Sequence, residues 1–369
     1  MKLGKLVCNV HWEKRADDGD VLKNKQLIVG MVVLVILAGL AIWGRNRIHF
    51  DFQEFRTQVA VADWRKIAFA LACIYVGYLF RSVRWALLLR HNRRVPLLSL
   101  LGTQVMGFTA VALIGRVADL VRPYLVAKKT GMDLSSQIAV YIVERLSDAG
   151  SMALIFSAAV VLTPPGSMPH PELVKKAGYW GLAGTVGGAL FLTAVRLAGE
   201  ALASGFERVL GAMSKKLGHA VGHKIRTFQV GLDTIRSFSD FAVMVVLSLG
   251  MWVLITAAYL NIARAFVHSP QLAGMTPGNC VLLMVVSGGA SVVQLPVIGW
   301  FSQIVFVEQA IQRFFGVSPE ASTACAAMLL IVTFLGIVPI GLIWAQVENV
   351  SLRKVTVESE VAEAEEGTL

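Results

Sequence analysis

Long apolar runs separated by short charged stretches dominate the chain. A helix needs about 20 apolar residues to cross a hydrocarbon core of roughly 30 Å. In lipid, helices and closed barrels satisfy the hydrogen-bonding groups of their own backbone. The apolar runs here are long and lack the alternation of apolar and polar residues that is typical of barrel strands. The pattern therefore predicts an all-α polytopic membrane protein. The predicted spans are residues 26–44, 67–89, 136–162, 178–196, 241–262 and 321–346.

Two further apolar runs are interrupted. Residues 97–115 lead directly into a charged stretch, and residues 278–315 are broken by Gly288, Gly289 and Pro296. Gly and Pro interrupt helices, and such segments are tolerated at membrane depth where protein or a cavity covers them. Each run is predicted to be a re-entrant hairpin that enters and leaves on one face.

Basic residues orient these elements, because cytoplasmic loops carry an excess of Lys and Arg. The main basic loops share one side if the two hairpins enter from opposite faces, an arrangement that indicates an inverted repeat. We therefore expect six spans and two hairpins in a bacterial-type inner membrane, with both termini cytoplasmic. Residues 1–25 would be a cytoplasmic segment, 26–346 the transmembrane domain, and 347–369, with six glutamates, a disordered cytoplasmic tail.

Composition supports a membrane protein and excludes the common soluble classes. The chain is 56% hydrophobic and 16% charged, against about 25% charged in a typical soluble domain. The four cysteines form no C-x-x-C pair, and His219 and His223 have no third ligand nearby in the sequence. No motif of a soluble catalytic site occurs. We expect no metal, no cofactor and no nucleic-acid partner.

Charged residues within a predicted span are informative, because each costs at least about 2.5–3.5 kcal/mol at the helix centre. Glu144, Arg145 and Asp148 lie in the third span. At 1.5 Å per residue, Asp148 lies about 18 Å along the helix and hence near the midplane. A structural ion-pair network and a translocation cavity both explain the three groups, and we favour the cavity. Gln294 and Gln303 of the second interrupted run are weaker candidates for the same cavity.

Arg116, Asp119 and Arg122 follow the first interrupted run at helical spacing, where opposite charges satisfy one another. The surplus arginine is suited to bidentate binding of a lipid phosphate at the inner mouth. The alternative is that these side chains snorkel to the interface.

Arg81 and Arg84 share one face near the inner end of the second span. The adjacent Trp85 is expected at headgroup depth, where tryptophan is enriched. Binding of a lipid headgroup and simple anchoring at the interface are both consistent with this set.

Three motifs occur in a fixed order: Arg-x-x-Arg-Trp at 81–85, Gly-Arg-x-x-Asp-x-x-Arg-Pro at 115–123, and Glu-Arg-x-x-Asp at 144–148. They resemble the flippase-like transmembrane region of the lysylphosphatidylglycerol synthase family, over roughly residues 26–346. That family typically carries Glu where Asp119 stands. The family's second hairpin carries the motif Pro-Gly-Gly-x-Gly-x-x-Glu. Only part of this motif remains here, in a stretch that begins at Pro296 and has Gln303 at the Glu position.

The resemblance implies a membrane lipid translocase or lipid-binding transport protein. Its cargo would be an anionic phospholipid, glycolipid or hopanoid-type lipid that moves between leaflets. The alternative is a membrane-embedded accessory subunit or transferase in lipid or envelope glycoconjugate synthesis, with a lipid-synthesis enzyme as partner. Family members that synthesise aminoacylated lipid carry a soluble transferase domain. We expect none after Gln346, and hence no enzymatic activity.

Overall fold

The computed structural model describes residues 51–90, 94–162, 171–212, 214–232, 238–290 and 298–366. The predicted first span at 26–44, the segment before it and Gln294 lie outside these residues. The described residues are mostly helical and contain no strand, which confirms the all-α class. Their α-helices are α1 (Phe52–Ala60), α2 (Trp64–Leu89), α3 (Leu97–Ile114), α4 (Val121–Thr130), α5 (Leu134–Leu162), α6 (Pro171–Gly211), α7 (Lys215–Leu232), α8 (Phe238–Arg264), α9 (Pro270–Ala273), α10 (Pro277–Ala290), α11 (Ile298–Phe315), α12 (Pro319–Thr333), α13 (Val338–Val347) and α14 (Leu352–Glu366).

In the part of the chain that the structure describes, four helical stretches are long and apolar enough to cross a membrane: α2, α3, α8 and Pro319–Val347. Helix α5 covers the predicted span at 136–162 and carries the buried charges. Helix α6 extends well beyond the predicted span at 178–196 and bends at Ala198, where the backbone is not helical. The chain is thus a multi-pass α-helical membrane protein.

The first interrupted run is not a hairpin in itself. Helix α3 is continuous through Ile114, and Gly115 then leaves the helix with a φ of 98°, which glycine adopts without strain. A 3-10 turn at Arg116–Leu120 leads into α4, which returns along α3, so that Lys129 Nζ donates to the Ser99 carbonyl at 3.4 Å. The predicted bounds were therefore wrong. The hairpin covers residues 97–130, and we call it hairpin one. Its tip is the 3-10 turn.

Hairpin two consists of α10 and α11, and it matches the predicted run at 278–315 closely. The two arms pack against each other, and Gln303 Nε2 of α11 donates to Ser287 Oγ of α10 at 3.0 Å. The connecting residues 291–297 lie outside the described part of the chain.

The two hairpins open at opposite ends of α2, a helix about 39 Å long at 1.5 Å per residue. Near the start of α2, Lys66 Nζ donates to the Arg264 carbonyl, and Arg264 Nε donates to the Met275 carbonyl just before hairpin two. Near its end, Leu89 packs in one apolar cluster with Leu100 at the base of hairpin one.

The hairpin tips meet. Trp300 Nε1, at the start of α11, donates to the Ala112 carbonyl near the end of α3 at 3.0 Å. The two hairpins thus open at opposite ends of α2 and meet at their tips. The membrane faces from which they enter stay a prediction.

The last predicted span, 321–346, is broken. Helix α12 ends at Thr333, a 3-10 turn covers Leu335–Ile337, and α13 follows with Pro339 in its first turn. Proline has no N–H to continue the helical ladder, and the freed carbonyls need other donors. Tyr75 Oη donates to the Gly336 carbonyl at 2.9 Å and thereby satisfies one of them.

The acidic tail is helical where the structure describes it, so the predicted disorder is wrong for Leu352–Glu366. Leu352 and Val355 are one helical turn apart and pack in an apolar cluster with Leu125 of hairpin one. Glu358 accepts a hydrogen bond from Tyr124 Oη at 3.0 Å. The composition of the tail indicated an unfolded end, but its apolar residues pack against hairpin one.

Candidate functional site

Charged residues from three separate motifs meet between α2, α4 and α5. We call this set the ion network. Helix α2 supplies two arginines one turn apart on one face, α4 supplies one arginine from its first turn, and α5 supplies an acidic pair at i and i+4 with an arginine between them. Its members are Arg81, Arg84, Arg122, Glu144, Arg145 and Asp148.

Glu144 is fully buried and is the most heavily contacted acceptor of the network. Its carboxylate accepts from Arg84 Nη2 at 2.7 Å, from Trp85 Nε1 at 2.5 Å and from Arg122 Nη1 at 3.3 Å. Arg81 and Arg145 approach the same group. A carboxylate so far from water is tolerated because it is paired and hydrogen-bonded.

Asp148 lies one turn further along α5 and is bound by three arginines. It accepts from Arg84 Nη1 at 2.6 Å, and pairs with Arg145 Nη2 at 2.9 Å and Arg81 Nη1 at 3.3 Å. Arg84 therefore connects the two carboxylates, and it also donates to Ser248 Oγ of α8 at 2.8 Å. Through Arg84 the network joins α2, α5 and α8.

Arg122 is fully buried and held from several sides. Its guanidinium lies 4.4 Å from the Phe108 ring centroid and 5.0 Å from that of Tyr141, which favours a cation–π contact. Its stem occupies the space that a Cβ at Gly107 would need, so α4 can approach α3 only because residue 107 is glycine. Arg122 therefore does not face lipid at an inner mouth, and that prediction of its position was wrong.

The ion network contains more positive than negative charge. Four arginines pair with two carboxylates, which leaves a surplus of two positive charges. Within the described residues, several of the buried guanidinium nitrogens have no hydrogen-bond partner: Arg84 Nε, Arg122 Nε and Nη2, and Arg145 Nε. The network thus has an excess of positive charge, and part of it, on Arg81 and Arg145, is accessible at 12% and 38% of the side chain.

A cavity of about 250 Å³ lies beside the network and between the hairpin tips. Charged side chains form part of its wall, and hydroxyl, amide and apolar side chains form the rest. The volume lies just below the range of about 300–1,000 Å³ for pockets that bury drug-sized ligands. The described residues contain no group of three His, Cys, Asp or Glu side chains suited to a metal ion. The lining residues with polar groups are Tyr78, Arg81, Arg116, Asp119, Arg145, Trp252, Tyr259, Ser287, Gln303 and Thr333.

Arg116 lies on the hairpin tip and is half-exposed, with its side chain 48% accessible. Its guanidinium is 3.7 Å from the Asp119 carboxylate, so this pair is loose and lies at the edge of the cavity. Arg145 also lines the cavity while one nitrogen pairs with Asp148.

The structure groups the predicted site residues differently from the sequence. The expected headgroup set was Arg81, Arg84, Arg116, Asp119 and Arg122, and the expected translocation set was Glu144, Arg145, Asp148, Gln294 and Gln303. The cavity is lined by members of both sets: Arg81, Arg116, Asp119, Arg145 and Gln303. The other described members, Arg84, Arg122, Glu144 and Asp148, form the buried support behind its charged wall.

Sequence reasoning missed several contributors. Trp85, expected at headgroup depth, is instead fully buried and donates to Glu144. Gln104 accepts from Arg122 Nη1 at 3.2 Å, and its position as a polar residue within an apolar run was an available signal. Ser248 and Tyr259 carried no comparable signal, because single hydroxyl residues are common in membrane helices and find local partners.

Membrane-crossing helices, two opposed hairpins and a polar centre at their tips define a polytopic membrane protein built around a charged cavity. The family described as "Lysylphosphatidylglycerol synthase TM region" matches residues 27–341. The chain therefore belongs to this family, which is membrane-embedded and related to lipid and envelope synthesis. Comparison with curated proteins and with solved structures gave no match.

Proposed function

We propose that the protein is a lipid translocase, which binds an anionic headgroup in the cavity while the acyl chains remain in the surrounding lipid. The observation that carries the proposal is the positive surplus of the buried ion network. A phosphodiester brings the missing negative charge. It also accepts hydrogen bonds from several guanidinium groups at once.

Three arginines present this charge to the cavity. Arg81 and Arg145 are held by the carboxylates of the network, so their positions are fixed before a ligand arrives. Arg116 lies at the edge of the cavity, where its side chain is 48% accessible and 3.7 Å from Asp119. Two buried or half-buried arginines and one more accessible arginine together present positive charge to a phosphate.

The hairpins supply the argument for translocation. Their bases lie at opposite ends of α2, and their tips meet beside the cavity. A site at the junction of two opposed hairpins can be reached from either face when one hairpin shifts, as in transporters with inverted repeats. We propose that the cytoplasmic face is the one that carries the basic loops. A lipid-synthesis enzyme would deliver the cargo there.

Reconstitution into vesicles tests this function. A fluorescent analogue of phosphatidylglycerol is placed in both leaflets, and its loss to a membrane-impermeant quencher is followed over time. The wild-type protein should make the inner-leaflet pool accessible. Arg116→Gln should slow this movement about tenfold or more without loss of fold, since a hydrogen bond to a charged group contributes about 1.5–3 kcal/mol. Arg116→Lys should recover it in part, because a point charge replaces a bidentate fork.

Arg313→Gln is the matched control, since Arg313 is exposed on α11 and does not line the cavity. It should behave as wild type. If the wild-type protein binds the lipid but moves none, the accessory-subunit or transferase alternative is favoured over translocation. Movement in Arg116→Gln at the wild-type rate would contradict the assigned headgroup site.

A further inference from the structure

The acidic tail carries a helix, α14, that lies against hairpin one. It packs on both arms of the hairpin and on the 3-10 turn at the tip. Its buried residues recur at i, i+3, i+4 and i+7 and therefore share one face of the helix. They are Leu352, Val355, Thr356 and Ser359. The family match ends at residue 341, so α14 lies outside the matched residues.

The returning arm of hairpin one, α4, contacts both the ion network and α14. Arg122 of α4 pairs with Glu144 of the network at 3.3 Å. Val121 and Leu125 of the same arm pack in one apolar cluster with the two apolar residues on the buried face of α14. Because α4 is shared in this way, a movement of the arm has to break its contacts with α14 or carry α14 along.

Polar contacts hold the tail at the base of the arm. Tyr124 Oη donates to the Glu358 carboxylate at 3.0 Å, and Lys128 Nζ lies 3.4 Å from the same group. Just before α14, Glu348 pairs with Lys129 Nζ at 2.7 Å. The tail thus contacts the last two turns of α4 by hydrogen bonds and ion pairs as well as by apolar packing.

The contacts of α14 itself are suited to release. Two of its four buried residues, Thr356 and Ser359, donate their hydroxyls to carbonyls of α14 and not to hairpin one. The Lys128–Glu358 pair is accessible, with side-chain exposures of 60% and 31%. Exposed pairs contribute little to stability and are screened by salt. Release of α14 therefore breaks little apolar packing and leaves no fully buried charge unpaired.

We infer that α14 is a strap that restrains hairpin one. The strap holds α4 in the position in which Arg122 pairs with Glu144, and it is released when the arm moves. Its effect on lipid movement rests on the proposed function, in which one hairpin shifts to open the cavity. The restraint on α4 does not depend on that function.

Hydrogen exchange of the full-length protein tests the restraint without lipid transport, since the exchange of backbone amides reports local opening. Val355→Asn places an amide in the apolar cluster, where it is costly. The amides of residues 121–130 should then exchange about tenfold faster than in wild type, and those of α8 at the wild-type rate. Val357→Asn, at a valine of α14 that is 55% exposed, is the matched control and should exchange as wild type.

A second pair of variants tests the polar contacts. Glu358→Gln removes the ion pair with Lys128 and keeps an acceptor for Tyr124. It should raise exchange in α4 about threefold, the size expected of an exposed ion pair. Glu360→Gln is its control, because Glu360 is exposed on the same helix.

Two exchange results would overturn the strap. One is a wild-type rate in α4 for both Val355→Asn and Glu358→Gln. The other is a rise of equal size in α4 and α8, because α14 would then support the whole fold and not one hairpin.

The vesicle assay tests the link to transport. Val355→Asn should make the inner-leaflet lipid accessible about threefold faster than wild type. Slower movement, with exchange in α8 unchanged, would overturn the restraint, since α14 would then assist the hairpin. If neither protein moves lipid, the proposed translocase function fails, and the exchange rates of α4 still decide whether α14 is a strap.

Discussion

Two arginine–carboxylate clusters in this protein have the same contact geometry and opposite surroundings. In the ion network, Arg84 Nη2 lies 2.7 Å from Glu144, and both side chains are almost inaccessible, at 1% and 0%. On the α6–α7 pair, Arg226 Nη1 lies 2.7 Å from Glu207, with exposures of 36% and 26%, and a second contact reaches Glu200 at 2.9 Å. Distance does not distinguish the clusters, but burial does.

Charge balance differs as well. The α6–α7 cluster has one arginine for two carboxylates, with His219 3.6 Å from Glu207, and water and salt can screen the imbalance. The ion network has an excess of arginine around two carboxylates that are only 0% and 7% exposed. Exposed ion pairs contribute little to stability, whereas removal of one partner from a buried pair is costly. An unbalanced buried cluster therefore indicates a ligand, and an unbalanced exposed one does not.

The largest effect is expected at Glu144. Glu144→Gln removes one of the two carboxylates and raises the buried surplus from two positive charges to three. Breaking a buried ion pair by removing one partner costs about 3–5 kcal/mol. Denaturant unfolding in mild detergent should show a loss of that size. Glu172→Gln, at a glutamate 82% exposed, is the control and should leave the unfolding midpoint unchanged.

The double variant Glu144→Gln, Arg122→Gln sharpens this test. It restores the original surplus, so its stability should exceed the level that the two single variants predict by addition. Strict additivity would mean that the two side chains are not coupled. That result would contradict the network.

The smallest effect is expected at Arg226, because the exposed α6–α7 cluster should affect stability only through its dependence on pH. The hydrogen bonds from Arg226 lower the pKa of Glu207 and of Glu200 below the usual value for glutamate. A depressed folded-state pKa contributes stability above the unfolded pKa of about 4.3 and loses it as the pH falls through the folded value. Amide protection in residues 199–232 should therefore drop more between pH 6 and pH 3 in wild type than in Arg226→Gln. An equal decrease in amide protection in the two proteins would show that Arg226 does not cause this pH dependence.

Length and hydrophobicity made much of the fold predictable. The membrane-capable helices, hairpin two and the opposed directions of the two hairpins follow from runs of about 20 apolar residues and from the positions of basic loops. The bounds of hairpin one did not follow, because its tip and the first turn of its returning arm carry Arg116, Asp119 and Arg122, a charged stretch that resembles a loop. The tail was mispredicted because its glutamates outnumber Leu352 and Val355, the residues that dock it.

The site was predictable as a set of motifs but not as a geometry. Charges inside spans singled out Glu144 and Asp148, because lipid makes such residues expensive. Which side chains line the cavity and which support them depends on packing between helices distant in sequence. Arg122 illustrates this, since its burial rests on the missing side chain of Gly107 and on the rings of Phe108 and Tyr141. The hydroxyl and amide wall has no signature in the pattern of charges.

An experimental structure in nanodiscs of phosphatidylglycerol tests the central claim, that the surplus positive charge is matched by a lipid phosphate. We predict phosphate density inside the cavity, within hydrogen-bond distance of Arg116 or Arg145. Lipid phosphates confined to the outer surface of the helices, with the cavity holding water alone, would contradict the account.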